Sequence, residues 1–264
     1  MGYLQILAWV CLTLGTTTAQ LDHTGGDQTY SGNAYGSIEL ALSAGSPTLY
    51  VNVASTATTP DGQSWATAFP HLTDALDAAQ SGDQIFVAAR TYYPDQGGST
   101  TNDDPDATFL LPDGVGVYGG FAGNEYALDE RDVAANPTLL SGDLQQNDTY
   151  LTDPNDANFP YQNNGDNTEH VVTLTSGAAT LDGFTVQGGN SPTVGQTGGG
   201  VSVTGGTLTL NNCTVQHHYG GGLYAGNSAG FDVSGGTFRY NAFGAISSTG
   251  LAASQIDDNL NYVK

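Results

Sequence analysis

Apolar and polar positions alternate over short segments along most of the chain, and glycine-rich or polar turns separate these segments. Alternation with a period of two residues is typical of β-strands that bury one face. The pattern therefore predicts many short strands. The clearest ones before the repeated part are residues 49–53, 84–88, 109–111, 115–118, 139–140 and 171–174. A polar segment, 143–168, interrupts the pattern, and we expect it to form a long surface loop.

One segment follows a helical period instead. Between residues 70 and 80, apolar side chains lie at positions i, i+3, i+4 and i+7, namely Leu72, Ala75, Leu76 and Ala79. The spacing predicts a short amphipathic helix just before the first regular strands. Because a stack of repeats exposes unpaired backbone at its ends, we expect this helix to cap the N-terminal end of such a stack.

The C-terminal part of the chain repeats itself. Gly199-Gly200-Val201 recurs as Gly221-Gly222-Leu223 after 22 residues, and as Gly244-Ala245-Ile246 after a further 23. This period is too short for a propeller blade, and the fixed consensus of a leucine-rich repeat is absent. It fits one turn of a parallel β-helix, in which successive turns stack at about 4.8 Å. We therefore predict an all-β solenoid, a parallel β-helix domain over residues 49–264.

Stacked turns bring equivalent side chains into line, so the repeats also predict which residues face the core. We expect three inward ladders: Leu181/Leu210/Val233, Val186/Val215/Phe238 and Leu223/Ile246. Glycines are expected at the corners, where the chain needs a positive φ or where neighbouring turns approach closely. Cys213 lies in an alternating stretch, and we interpret it as a small buried apolar residue.

Residues 1–19 have the pattern of a secretory signal peptide. An apolar segment, 3–14, is followed by small residues, and Thr17-Thr18-Ala19 is a suitable cleavage site. A transmembrane helix needs about 20 apolar residues, so we predict no transmembrane span in the mature chain. Residues 20–48 are interpreted as a polar leader. Cleavage would leave Cys213 as the only cysteine and would exclude an internal disulfide.

The charge balance excludes one class of partner. The chain has 26 acidic and 4 basic side chains and a net charge of −22, although only 11% of its residues are charged. Phosphate binding needs Lys and Arg to release counterions, so nucleic acid is excluded as a partner. Acidic polysaccharides would also be repelled unless divalent cations bridged them to the protein. A polar surface kept soluble by its charge indicates an exported protein.

Several segments, in the same order along the chain, resemble the start of bacterial exported right-handed β-helix proteins. They include residues 50–51, 64–69, 82–88, 118–125, 131–132, 136–138, 140–143 and 181–186. The resemblance covers roughly residues 49–250. It implies a right-handed parallel β-helix of the pectin-lyase-like kind.

The glycine–aliphatic repeats, with Phe238 and Asn241 spaced as Phe-x-x-Asn, are similar to polymorphic outer-membrane proteins. Those proteins are surface-displayed adhesins with a pectin-lyase-like passenger. Phe-x-x-Asn is clear only once, because Val215 and His218 occupy these places in the preceding turn. The resemblance implies a non-enzymatic protein, secreted or at the bacterial cell surface or outer membrane, that binds glycans, cell-surface or matrix components. The repeat is still running at Lys264, so we leave open whether the chain continues.

The alternative is a polysaccharide lyase or hydrolase, or an inactive glycan-binding relative, because one fold hosts many functions. A lyase would need stacked carboxylates and a basic residue. The ladder Asp182/Asn211/Ser234 has a single carboxylate, and Arg239, the basic residue of the repeats, aligns with Gln216. A hydrolase would need two carboxylates flanking the bond, whereas Asp257 and Asp258 would point to opposite faces of a strand. We therefore name no catalytic residue.

The candidates for metal binding are weaker. His217 and His218 would diverge in a strand and are predicted to form a surface turn, and Glu169-His170 is predicted at the edge of a loop. The acidic segments 102–106 and 143–166 could supply the oxygen ligands that Ca²⁺ prefers, although neither has the spacing of a known calcium loop. We predict no cofactor, leave Ca²⁺ open and assign no metal ligand.

Overall fold

The computed structural model describes residues 47–191, 198–226 and 228–249 in full, and the strand backbone alone at 13–14, 17–18, 254–256 and 261–263. The chain divides into two units, Met1–Ser43 and Ala44–Lys264. In the first unit, β1 (Thr13–Leu14) pairs antiparallel with β2 (Thr17–Thr18). The predicted signal peptide and polar leader lie almost entirely outside the described residues.

Most strands of the second unit belong to three parallel sheets. Sheet I contains β3 (Thr48–Val51), β4 (Gln84–Ala88), β7 (Gly116–Phe121), β12 (Ala178–Asp182), β15 (Thr207–Asn211), β18 (Gly230–Ser234) and β21 (Ser254–Ile256). Sheet II contains β5 (Thr91–Tyr92), β8 (Thr138–Ser141), β13 (Phe184–Gln187), β16 (Thr214–Gln216), β19 (Thr237–Arg239) and β22 (Asn261–Val263). Sheet III contains β6 (Phe109–Leu110), β11 (Val172–Leu174), β14 (Gly198–Val203), β17 (Gly221–Ala225) and β20 (Ile246–Ser248).

From β11 onward the chain visits the sheets in a fixed rotation, from sheet III to sheet I and then to sheet II. Neighbouring strands within each sheet run parallel, so each strand lies beside its counterpart from the previous rotation. The predictions of a mostly β chain and of parallel strands are confirmed. The strands predicted before the repeats are present as β3, β4, β6, β7, β8 and β11, with small differences at their ends.

The predicted core ladders pair in register. Within sheet I, Leu210 pairs with Leu181 on one side and with Val233 on the other. The ladders Val186/Val215/Phe238 and Leu223/Ile246 are likewise paired. These side chains are buried, apart from Ile246, which is half-buried and packs against the core. The repeat therefore predicts the inward face correctly.

From β12 onward, the turns from sheet I to sheet II each place one residue in the left-handed region. These residues are Gly183, Asn212 and Gly235, with φ of 83°, 49° and 62°. Glycine and asparagine are the residues that adopt this conformation at least cost. The same backbone turn is therefore repeated in successive rotations, which keeps the strands of both sheets in register.

The one α-helix of the described residues, α1 (Leu72–Ala78), lies within the predicted segment 70–80. It buries Leu72, Ala75 and Leu76 and packs against β3, β4 and β6. Strands β3 and β6 are the terminal strands of their sheets, so the helix covers one end of the core. No helix in the described part of the chain is long and apolar enough to span a membrane.

An aromatic cluster lies on the outward face of sheet I, where a polar surface was expected. In β4, Ile85 and Val87 belong to the core, whereas Phe86 points outward and stacks on Phe121, with ring centroids 4.4 Å apart. Tyr50 and Trp65 extend the cluster. The loop that carries Trp65 is thereby packed onto the sheet. This part of the molecule has apolar residues on both faces of one sheet.

Candidate functional site

The turns from sheet II to sheet III form a corner where large side chains replace glycine. The residues with positive φ are Gly188 (77°), His217 (55°) and Tyr240 (55°) in successive rotations. Because these turns stack, the His217 ring lies against the Tyr240 ring, with centroids 4.9 Å apart. Tyr150 covers the other side of His217 at 5.0 Å. We call Tyr150, His217 and Tyr240 the corner stack.

The structure corrects the prediction that His217 and His218 form a surface turn. His217 is 6% exposed within the corner stack, and His218 is fully buried. The His218 ring accepts a hydrogen bond at Nδ1 from the Gly189 backbone (2.9 Å) and donates from Nε2 to the Val186 carbonyl (3.0 Å). Burial lowers the pKa of His218 to about 3. The neutral ring therefore serves as a structural link between turns.

We expect His218 to make the fold sensitive to mild acid. In the unfolded chain its pKa is about 6.5, so between that value and the folded pKa the unfolded chain binds more protons. The contribution of His218 to stability therefore falls as the pH falls below about 6.5. Between pH 7 and pH 5, His218 should lower the free energy of unfolding by about 2 kcal/mol.

The matched variant is His218→Gln, which keeps an acceptor and a donor but binds no proton in this range. Urea unfolding of both proteins at pH 7 and pH 5 measures the effect. On acidification from pH 7 to pH 5, the free energy of unfolding of the variant should change in the favourable direction by about 2 kcal/mol relative to the wild-type protein. Equal losses in the two proteins would contradict the role given to His218.

The polar segment 143–168, predicted as a long surface loop, contains a hairpin that docks on this corner. Its strands are β9 (Thr149–Tyr150) and β10 (Tyr161–Gln162), paired antiparallel. Tyr161 is buried and donates a hydrogen bond to the Gly189 carbonyl (2.7 Å). Asn190 donates from its side chain to the Asn164 carbonyl (2.7 Å). The insertion is therefore fastened to the corner by specific contacts.

A pocket of about 640 Å³ opens between the hairpin and the corner. We call it the corner pocket. It is lined by Ala157, Asn158, Phe159, Tyr161, Gln162, Asn163, Asn164, Asn190 and Tyr219. The lining thus combines side-chain amides with aromatic rings, and it contains no acidic or basic side chain. Tyr219 is half-buried, and its ring packs edge-on against Phe243 at 5.5 Å, which fixes its orientation.

The amides of the corner pocket are held by the protein on one side. Asn163 donates from its side-chain nitrogen to the Asn147 carbonyl (2.9 Å), and Asn190 donates to Asn164. One hydrogen of each NH₂ group is thus engaged, and the second hydrogen and the amide oxygen remain for a ligand. A pocket of this kind can bind a neutral ligand that carries both hydroxyl groups and an apolar face.

The residues considered for lyase or hydrolase chemistry are not brought together. Asp182 forms an ion pair with Arg131 (2.8 Å) and accepts a hydrogen bond from Asn212. Arg239 pairs in register with Gln216, as predicted, and donates to its side-chain oxygen (2.7 Å). The carboxylate and the basic group thus have separate structural partners. Asp257 and Asp258 lie outside the described residues.

The remaining predicted candidates have structural surroundings. Cys213 is buried as predicted, and burial raises the pKa of its thiol to about 12. Glu169 and His170 precede β11, as expected for a loop edge, and the His170 ring contacts the Gly198 carbonyl at Nδ1 (2.8 Å). Across residues 47–191, 198–226 and 228–249, no group of three or more His, Cys, Asp or Glu side chains is arranged to hold a metal ion.

A second, smaller hollow of about 300 Å³ lies against the start of sheet I. Its one charged lining residue is Asp83, whose carboxylate accepts a hydrogen bond from the Gln80 backbone (2.8 Å). Because that bond shapes the turn before β4, we assign Asp83 a structural role and regard the corner pocket as the better candidate site.

Comparisons of this chain with protein-family models, with curated proteins and with solved structures find no match.

Proposed function

We propose that the three stacked sheets form a right-handed parallel β-helix of the pectin-lyase-like kind. The support for this assignment is the fixed rotation of the chain through three parallel sheets and the in-register core ladders. The resemblance of residues 49–250 to bacterial exported β-helix proteins points to the same architecture, as does the general preference for right-handed crossovers between parallel strands.

On this scaffold, we propose a non-enzymatic, secreted or surface-displayed module that binds neutral glycans through the corner pocket. The observation that carries the proposal is the lining of side-chain amides and aromatic rings. Amides both donate to and accept from sugar hydroxyls, and an aromatic ring covers the apolar face of a sugar. The volume, about 640 Å³, lies within the range of ligand pockets.

The charge of the chain favours neutral over acidic glycans. A net charge of −22 repels uronic acids and sulfated sugars unless cations screen the repulsion. The apolar segment at the N-terminus supports export, and the adhesin resemblance supports a role at a bacterial surface. Contact with cell-surface or matrix glycans would then be the adhesive function.

Binding to arrayed neutral and acidic oligosaccharides, followed by calorimetry on the best ligand, tests this proposal. We expect Tyr219→Ala to weaken binding at least tenfold, because a ring that stacks on the ligand contributes about 1–3 kcal/mol. Tyr126→Ala is the control, since Tyr126 is 84% exposed and lies outside the pocket. Retained binding by Tyr219→Ala, or binding restricted to acidic glycans, would contradict the proposal.

A further inference from the structure

Buried side-chain oxygens without hydrogen-bond partners are concentrated beneath the hairpin. In the described part of the chain there are four such atoms, and three of them are Asp148 Oδ1, Tyr150 Oη and Asn167 Oδ1. Buried polar groups are nearly always paired, so an unpaired one calls for a missing water, ion or proton. The Tyr150 hydroxyl also interacts with the Asp148 carboxylate, so the Asn167 oxygen, beside Asp148, is the one that points to a bound species.

Two hydrogen bonds fix the orientation of the Asn167 amide. Its nitrogen donates to Asp148 Oδ2 and to the Gly188 carbonyl, both at 2.7 Å. Exchanging nitrogen and oxygen would set the amide oxygen against two acceptors. Oδ1 is therefore the atom left without a partner, on a side chain that is only 4% exposed. The hydrogen bond to Asp148 holds the two side chains together.

The surroundings of these oxygens are negative. Asp143 is buried and accepts hydrogen bonds from the Asn147 and Asp148 backbones (2.9 and 3.1 Å). Asp166 accepts from the Gln145 backbone (3.1 Å). Both carboxylates repel the charge of the neighbouring Asp148 carboxylate. The ion pairs found among the described residues involve none of these three carboxylates, so their charge is not balanced by a basic side chain.

We propose that Asp148 and Asn167 form a binding site for a divalent cation, with Ca²⁺ as the best match. Asp148 Oδ1 and Asn167 Oδ1 are the protein ligands, and water completes the coordination shell. Carboxylate and amide oxygens are the ligands that Ca²⁺ prefers, and it accepts irregular geometry. Asp148 is the one carboxylate that binds the cation in this site. Asp143 and Asp166 do not contact the cation, and they attract it through their negative charge. With one ligating carboxylate, a dissociation constant of about 10⁻⁴–10⁻³ M is expected, as in extracellular modules.

This site would have a consequence for the hairpin. Asp148 lies just before β9, and Asn167 follows β10, so a cation held by both side chains fastens the two ends of the hairpin. The residues between them supply most of the lining of the corner pocket. Cation binding should therefore stabilise the hairpin whether or not the pocket binds a glycan, and the inference does not rest on the proposed function.

Calorimetric titration of the full chain with CaCl₂ at pH 8, after removal of metals by chelation, tests the proposal. The wild-type protein should show saturable binding, and its Tm should rise by about 3–5 °C at a Ca²⁺ concentration ten times Kd. Asp148→Asn should weaken Ca²⁺ binding at least tenfold. Because this variant removes a buried charge and keeps the size of the side chain, it should remain folded, and its Tm without metal verifies this.

The matched control is Asp153→Asn in the same insertion. Asp153 is exposed, and its carboxylate contacts only Asn155. Both variants lose one negative charge, so general attraction of Ca²⁺ to an acidic protein changes equally in the two. Binding that is weakened only by Asp148→Asn supports the site. Equal binding by the two variants overturns it, and so does a wild-type protein that shows no saturable Ca²⁺ binding.

Discussion

Leu210→Asp should unfold the C-terminal rotations of the three sheets. Leu210 has no exposed surface and lies between Leu181 and Val233 in the core ladder of sheet I. The change removes about 1.5–3 kcal/mol of apolar burial and places a carboxylate where no partner is available, so the group must be desolvated or protonated. We expect a loss of about 5 kcal/mol or more, comparable to the whole stability of many domains.

Thr207→Asp is the control for this change. Thr207 lies on the same strand, is exposed, and pairs with Ala178 and Gly230. It adds the same charge on the outward face and should cost little stability. Urea unfolding followed by circular dichroism measures both variants. If Leu210→Asp were as stable as Thr207→Asp, the assignment of inward and outward faces would be wrong.

Gly200→Ala should destabilise the corner even though it adds a single methyl group. A Cβ at Gly200 would lie 2.5 Å from the Gly222 carbonyl oxygen and 2.7 Å from His218 Nε2. The first contact is with a backbone oxygen and the second with a buried ring. Neither group can move away from the added methyl group without disturbing its own packing. Overpacking of this kind costs about 1–3 kcal/mol. We expect the free energy of unfolding to fall by that amount.

Gly165→Ala is the control for Gly200→Ala. It measures the general effect of replacing glycine by alanine at a position where the added methyl group meets no neighbour. Gly165 has no atom within 4 Å of its would-be Cβ, and neither glycine has a positive φ. The Gly165 variant should have the same stability as the wild-type protein or be more stable by up to about 1 kcal/mol, because alanine reduces the conformational entropy of the unfolded chain. Thermal and urea unfolding of both variants give the comparison, and equal stabilities would contradict the packing described for Gly200.

The core of the repeated part could be predicted because the alternation of apolar and polar residues within each strand recurs in every repeat. Leu210 and Val233 occupy the same place in successive repeats, and in a parallel stack the same place means the same environment. The glycines at 199–200 and 221–222 could likewise be interpreted as sites of close approach. A single pattern of alternation therefore sufficed to place the inward ladders.

The candidate site could not be predicted in this way, because it forms between segments that do not repeat. The corner pocket joins the hairpin to Asn190 and Tyr219, and no periodic signal connects them. The burial of His217 depends on Tyr150 from the hairpin, so His217 seen alone suggests a polar turn. The outward packing of Phe86 on Phe121 could not be predicted from the sequence either, because an alternating pattern predicts one apolar face per strand and not two.

The cation site shows the same limit. The acidic composition of segment 143–166 indicates a source of oxygen ligands, but Asn167 lies just beyond it and carries no charge. Its importance follows from two hydrogen bonds that fix the amide, one of them to the Gly188 carbonyl. Only the folded chain brings these groups together.

A neutral glycan bound in the corner pocket should slow amide hydrogen exchange in the residues that line the pocket. The measurement compares exchange with and without the best-binding oligosaccharide. We predict slower exchange in peptides that cover residues 157–164 and in those that contain Asn190 and Tyr219, with unchanged exchange in sheet I. Protection confined to sheet I or to the outward face of sheet II, with no change around the pocket, would contradict the account.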